Sequence, residues 1–127
     1  MEQEFIKFRI DDGILFSEYT KITIGSLEVI KEVIRLRTEF SENKKQYWCY
    51  NINNLKSMNI ESRNYAEKHG QDLLYACAVL VNSHVTKFIF NAFLKLKSPN
   101  IPFKSFTSNE DAITWLKKLK SENEQAN

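Results

Sequence analysis

The sequence is poor in the residue types on which disulfide scaffolds, zinc sites and phosphate-binding loops depend. Its 127 residues include only three glycines, two prolines and two cysteines. The glycines are too scattered for a phosphate-cradling loop, and no serine lies in a nucleophile-elbow pattern. Cys49 and Cys77 lack the paired spacing of a zinc or redox motif. Because both lie in apolar runs, we expect them to be reduced thiols in the core.

Neither sign of charge is in large excess, and long apolar runs are missing. The 18 basic and 16 acidic residues give a net charge of +2, far from the concentrated positive charge of a dedicated nucleic-acid binder. No apolar run reaches membrane-spanning length, and the acidic start, Met-Glu-Gln-Glu, is unlike a secretory signal. We therefore expect a cytoplasmic protein with neither a nucleic-acid partner nor stable membrane insertion.

No group of residues forms a complete catalytic or metal-binding pattern. His69 and His84 are isolated histidines on either side of a predicted strand, without neighbours at metal-ligand spacing. No nucleophile, base and orienting group can be assigned together. The sequence therefore predicts a protein that is not an enzyme and that needs neither a metal nor another cofactor.

Hydrophobic periodicity predicts alternating strands and helices after an N-terminal hairpin. Ile6, Phe8 and Ile10 alternate with polar residues before an Asp12-Gly13 turn. The remaining predicted elements are a strand from Ile14 to Tyr19, a helix from Ser26 to Phe40, a strand from Tyr47 to Ile52, a short helix from Ser62 to His69, a strand from Leu73 to Val81, a helix from His84 to Lys97, a strand from Phe103 to Thr107, and a last helix capped by Ser108.

This order, ββαβαβαβα, predicts an α/β fold with a mixed, mostly parallel sheet and helices packed against it. A chain of this length fits one hydrophobic core. We expect one domain over residues 1–121 and a polar, fraying tail over residues 122–127.

Three segments carry a resemblance to a known superfamily. They are the hairpin return Asp12-Gly13-Ile14-Leu15, the buried strand Ala76–Val81, and Phe106-Thr107 followed by Ala112–Leu116. Together with the element order, they resemble SpoIIAA-like proteins of the STAS/SEC14 superfamily, particularly small bacterial ones, over roughly residues 4–120. The resemblance implies a SpoIIAA-like (STAS) fold and a regulatory protein-interaction module, with an anti-sigma factor or a kinase-like regulator as the kind of partner.

In the anti-sigma-factor antagonists of that superfamily, a serine at the start of the helix after the third strand is phosphorylated. Residues 51–63 occupy the corresponding place here but lack the Asp-Ser-Ser/Thr-Gly signature. Ser62 is the nearest equivalent and is predicted to be a surface N-cap, with Ser57 as a second candidate. A purely structural cap and a phosphorylated switch both remain open for Ser62.

Further positions are candidates for binding. The predicted partner-binding residues are Asn59, Glu61, Ser62 and Arg63, together with Phe90 and Leu94, which lie opposite the buried stripe of the predicted third helix. Arg37 falls inside the apolar arc of the first helix, so it either snorkels to solvent or anchors an anionic group.

A second function class remains open beside the interaction module. The SEC14-like side of the resemblance and the nine phenylalanines favour a small-ligand or lipid-binding module, which predicts an apolar cavity. The sequence leaves the oligomeric state open, with a dimer as one alternative.

Overall fold

The fold was obtained as a computed structural model that describes residues 4–84, 87 and 99–126. Most of the predicted helix from His84 to Lys97, including Phe90 and Leu94, lies outside the described residues. The described strands are β1 (Ile6–Asp11), β2 (Ile14–Tyr19), β3 (Thr23–Gly25), β4 (Gln46–Asn51), β5 (Leu55–Met58), β6 (Leu74–Leu80) and β7 (Phe103–Phe106). The described helices are α1 (Leu27–Phe40), α2 (Ile60–His69) and α3 (Asn109–Ala126).

The N-terminal hairpin forms as predicted. Asp12 and Gly13 both have positive φ angles, 53° and 78°, which two-residue turns between antiparallel strands require. Asp11 therefore pairs with Ile14, and the register continues to Ile6 opposite Tyr19. The turn also contacts α3, because the Lys117 ammonium lies 3.0 Å from the Asp12 carboxylate.

Five strands form the main sheet in the order β1-β2-β4-β6-β7. Only β1 and β2 are antiparallel, and each later neighbour pairs in parallel. This arrangement confirms the prediction of a mixed, mostly parallel sheet behind an N-terminal hairpin. The central strand β6 is almost continuously buried, as its uncharged run predicted.

The two faces of the main sheet bury separate groups of side chains. On one face, Val33 and Leu36 of α1 pack against a cluster that includes Trp48 and Val79. On the other face, α3 packs its buried residues over a cluster made by Ile14, Tyr47, Cys49, Ala76, Ala78, Leu80 and Phe106. The alternation of strand side chains between these faces fixes which residues can meet at a site.

A second, two-stranded sheet was missed from the sequence. β3 and β5 pair in parallel, with Ile24 opposite Ser57 and Gly25 opposite Met58. The two strands contain three and four residues, too few for a clear alternating pattern. Along the chain, β3 lies between β2 and α1, and β5 lies between β4 and α2.

The polar tail expected after residue 121 is wrong for the described residues, because α3 continues to Ala126. Its last turns consist mainly of good helix formers. They are supported by a 2.6 Å ion pair between Lys120 and Glu124 one turn apart. Asn123 also donates a 2.5 Å hydrogen bond to the Tyr47 hydroxyl, which ties the end of α3 to the sheet.

Candidate interaction surface

The small sheet presents exposed isoleucines to solvent. Ile22, Ile24 and Ile60 are 65%, 63% and 67% exposed, and we call these three residues the isoleucine patch. Ile22 directly precedes β3, and Ile24 is the middle residue of β3, between the buried residues Thr23 and Gly25. Ile60 is the first residue of α2, directly beyond β5.

The backbone beneath the isoleucine patch is held by local hydrogen bonds. The N–H of Thr23 donates to the Asn54 carbonyl at 2.8 Å, and the Asn54 side chain donates to the Tyr19 carbonyl at 2.9 Å. Gly25 lies so close to β5 that an added Cβ would fall 2.5 Å from the Ser57 carbonyl oxygen. The patch is therefore presented by an ordered strand pair.

The start of α2 differs from the prediction. The N-cap is Asn59, whose side-chain oxygen accepts from the Ser62 N–H at 2.8 Å. The helix therefore begins two residues earlier than predicted, since asparagine is a strong capping residue. Ser62 lies in the first turn with no exposed surface, and its hydroxyl donates to the Asn59 carbonyl at 3.0 Å. The prediction of Ser62 as a surface N-cap was wrong.

The burial of Ser62 reverses the order of the two candidate phosphosites. Ser57 is exposed on β5, beside Ile24, and a modifying enzyme can reach its hydroxyl without opening a helix. Among the other predicted partner-binding residues, Asn59, Glu61 and Arg63 are exposed at the start of α2, whereas Phe90 and Leu94 are outside the described residues. The structure therefore brings Ser57, Asn59, Glu61 and Arg63 next to the isoleucine patch.

Arg37 does not snorkel to solvent: its side chain is only 1% exposed. Its guanidinium donates to the carbonyls of Gly70 at 3.0 Å and Asp72 at 2.7 Å, and it lies 4.5 Å above the centre of the Trp48 ring. Burial lowers the pKa of Arg37. Arg37 thereby joins α1 to the segment between α2 and β6. This is a structural role, which differs from both alternatives predicted for this residue, a snorkelling side chain and an anion anchor.

A cluster of aromatic and hydroxyl groups continues from Arg37 across the same sheet face. Trp48 stacks on Tyr50 with ring centres 4.2 Å apart, and its indole N–H donates to the Ser17 hydroxyl at 2.9 Å. Tyr19 and Tyr50 share a hydrogen bond between their hydroxyls. Burial raises the pKa of Tyr19 to about 12. Since these polar atoms satisfy one another, the cluster stabilises the core beneath α1.

The opposite face carries an open cleft that sequence reasoning missed. Its volume is about 440 Å³, and it lies near the carboxyl ends of β2, β4, β6 and β7. We call it the carboxyl-end cleft. Its lining includes Lys7, Arg9, Phe16, Glu18, Asn51 and Thr107. The sequence did contain one indication of this cleft: charged and apolar residues alternate in β1, which places Lys7 and Arg9 on one face of the sheet.

Both cysteines are buried free thiols, as predicted. Burial raises the pKa of the Cys49 thiol to about 12 and raises that of Cys77 as well. Within residues 4–84, 87 and 99–126, no three His, Cys, Asp or Glu side chains are grouped to hold a metal ion. Within the same ranges, no helix is both long and apolar enough to cross a membrane.

Comparison with solved structures defines the fold class. The chain adopts a SpoIIAA-like fold: it is similar to the crystal structure of an uncharacterized protein of the DUF3478 family from Shewanella loihica PV-4, which has that fold, with a TM-score of 0.64. The two chains share 14% sequence identity over 91% of this chain and 97% of the other. The likeness at this identity concerns the fold alone.

The sequence itself places the protein more narrowly. Residues 8–120 match the family model described as a domain of unknown function, DUF7793, and the chain belongs to that family. No curated protein matches the chain.

Proposed function

We propose that this protein is a non-enzymatic, cytoplasmic regulatory module that binds a protein partner through the isoleucine patch and the adjoining start of α2. The carrying observation is the exposure of three large apolar side chains, each by more than 60%, at the residue before β3, within β3 and at the first residue of α2. Burying an isoleucine side chain releases roughly 1.5–3 kcal/mol. A folded partner that covers all three therefore gains substantial apolar contact.

The surroundings of the patch have the composition of a protein interface. Lys56 in β5 and Asn59, Glu61 and Arg63 at the start of α2 are exposed close in sequence to Ile60, so polar and charged groups adjoin the apolar residues. This arrangement is typical of specific interfaces, in which the rim stays hydrated and the centre loses its water. The mixed signs of charge favour a protein surface over a polyanion.

The SpoIIAA-like fold supports the regulatory part of the proposal by analogy. The resemblance to the anti-sigma-factor antagonists implies an anti-sigma factor or a kinase-like regulator, and we propose a partner of that kind. Ser57 is the favoured control point, because a phosphate there would add close to two negative charges beside Ile24. Such a charge would oppose burial of the patch and release the partner.

Affinity capture from the native cell lysate tests the proposal. We compare the unmodified protein with an Ile22→Asp/Ile24→Asp variant, and we identify what is retained by each. The matched control is Ile10→Asp, which changes an isoleucine that is 48% exposed on β1, outside the patch. Circular dichroism and thermal melting confirm that all three proteins are folded.

We expect a partner that the unmodified protein and Ile10→Asp retain and that the double variant loses. Intact-mass analysis of the captured protein then shows whether Ser57 carries phosphate, and Ser57→Asp should weaken capture in the same direction. Equal retention by the patch variant and the control contradicts the proposal, since binding would then involve another surface.

A further inference from the structure

We propose that the carboxyl-end cleft binds a small organic anion, a carboxylate or phosphate ester attached to a flat apolar body. This site lies on the α3 side of the main sheet and goes beyond the interaction surface proposed above. It brings together a concave shape, an apolar floor and two cationic side chains.

The cleft exists because α3 covers only part of its sheet face. The helix contacts β4, β6 and β7, and the hairpin strands β1 and β2 continue the sheet beyond it. At about 440 Å³, the cleft falls in the usual range for small-molecule sites, roughly 300–1,000 Å³. It also lies near the carboxyl ends of parallel strands, where open α/β sheets bind ligands.

The floor of the cleft is apolar. Phe16, Cys49 and Leu80 line it and belong to the cluster beneath α3. Phe16 is only half-buried, so part of its ring is available for contact. A flat apolar group resting there removes water from the exposed part of the Phe16 ring, which favours binding.

The wall supplied by β1 is cationic. The Arg9 guanidinium lies 4.0 Å from the centre of the Phe16 ring, so its position above the floor is fixed by a cation–π contact. Arg9 also forms an ion pair with the Asp11 carboxylate, but this contact is long, at 3.4 Å, and exposed to solvent. A guanidinium has five N–H donors in a planar fork, and donors remain for two parallel hydrogen bonds to a carboxylate or phosphate.

Two further side chains add to the binding wall. Lys7 lies 3.0 Å from Glu18, and its ammonium keeps two more donors beyond that ion pair. The side-chain oxygen of Asn51 accepts from the Asn53 N–H at 2.9 Å, and its NH₂ group adds a neutral donor. Lys7 and Arg9 each pair with one carboxylate, so an anion would be held by the N–H donors that these two ion pairs leave unused.

Titration followed by ¹⁵N–¹H NMR tests the site with three defined probes. Indole-3-acetate carries a carboxylate, phenyl phosphate carries a phosphate ester, and indole-3-acetamide is the neutral counterpart of the first. We expect one or both anions to shift the amide signals of Arg9, Phe16, Asn51 and Thr107, and the better anion shows which head group the cleft prefers. The neutral amide should bind about tenfold more weakly, because it lacks the charge-assisted hydrogen bonds.

Matched variants assign the effect to the cleft. Arg9→Gln should reduce the affinity for the preferred anion about tenfold, whereas Arg35→Gln, at an exposed arginine of α1, should leave it unchanged. Lys7→Gln provides the same measurement if Arg9→Gln does not fold. Ile24→Asp should bind the probes normally, so the site can be judged independently of the interaction surface.

Three results of the titrations with the unmodified protein would overturn the assignment. They are equal affinities for indole-3-acetate and indole-3-acetamide, shifts that map outside the cleft, and the absence of saturable shifts with either anion at millimolar concentration. An undiminished affinity in both Arg9→Gln and Lys7→Gln would equally exclude an anion site on this wall.

Discussion

Replacement of Arg37 by methionine tests how far the fold depends on a buried cation. The change keeps an unbranched side chain of similar length beside Trp48 but removes both hydrogen bonds to the carbonyls of Gly70 and Asp72. Among the described residues, no other charged side chain of α1 donates to the carbonyls of Gly70 and Asp72. The variant therefore isolates the contribution of the guanidinium.

The expected change in the free energy of unfolding combines the loss of two hydrogen bonds with the avoided cost of burying a charged group. A hydrogen bond from a charged donor contributes about 1.5–3 kcal/mol, so the two together represent about 3–6 kcal/mol. Burying the guanidinium is itself costly, and methionine avoids that cost. We expect the free energy of unfolding to fall by about 2–3 kcal/mol once this relief is subtracted from the loss.

Urea denaturation followed by circular dichroism measures the change, with the slope of the transition checked for two-state behaviour. Arg35→Met is the matched control, because Arg35 is exposed and pairs only with Glu32 and Glu39 at the surface among the described residues; its loss should leave the free energy of unfolding nearly unchanged. Arg37→Lys should also destabilise, since one ammonium cannot reproduce the planar fork. A free energy of unfolding for Arg37→Met equal to that of the unmodified protein refutes the reasoning.

Three further outcomes follow from local geometry. Asn59→Ala should lower the melting temperature by removing the α2 cap, worth about 1 kcal/mol, whereas retention of the full stability would contradict a stabilising cap at Asn59. Gly25→Ala should destabilise the small sheet by about 1–3 kcal/mol, because its Cβ meets the Ser57 carbonyl at 2.5 Å; hydrogen exchange of the β3 and β5 amides would show this, and unchanged exchange would contradict it. Since burial raises the pKa of Cys49 to about 12, the unfolded thiol ionises first and the unfolded state binds fewer protons. Stability should therefore decline as the pH rises from about 8.5 towards 12, with a shallower decline in Cys49→Ala, as measured by urea midpoints across that range.

The main sheet was predictable because its signals are local and repeated. Asp12-Gly13 specifies the hairpin turn, and the uncharged run through Cys77 specifies a strand buried on both faces. The start of α1 near Ser26 also followed from the periodic apolar face of the helix, and in the structure Ser26 caps α1 by accepting from the Val29 N–H at 3.3 Å. Turns, buried strands and helix starts of this kind can be predicted because a few neighbouring residues determine them.

The candidate surfaces were harder to predict because they depend on contacts distant in the chain. Ile24 forms a strand only by pairing with Ser57, 33 positions later. Arg37 is buried only because the carbonyls of Gly70 and Asp72 meet it from another element. Ser62 illustrates a different limit: Asn59 and Ser62 are both good capping residues, and sequence preference alone does not decide between them.

The central claim is that the isoleucine patch is the surface that a partner covers. Hydrogen–deuterium exchange with and without the purified captured partner tests it most directly. We predict slower exchange on binding in residues 22–25 and 55–63, with β1 and α3 unchanged. Protection confined to β1 or α3, with unchanged exchange across both predicted segments, would contradict the account.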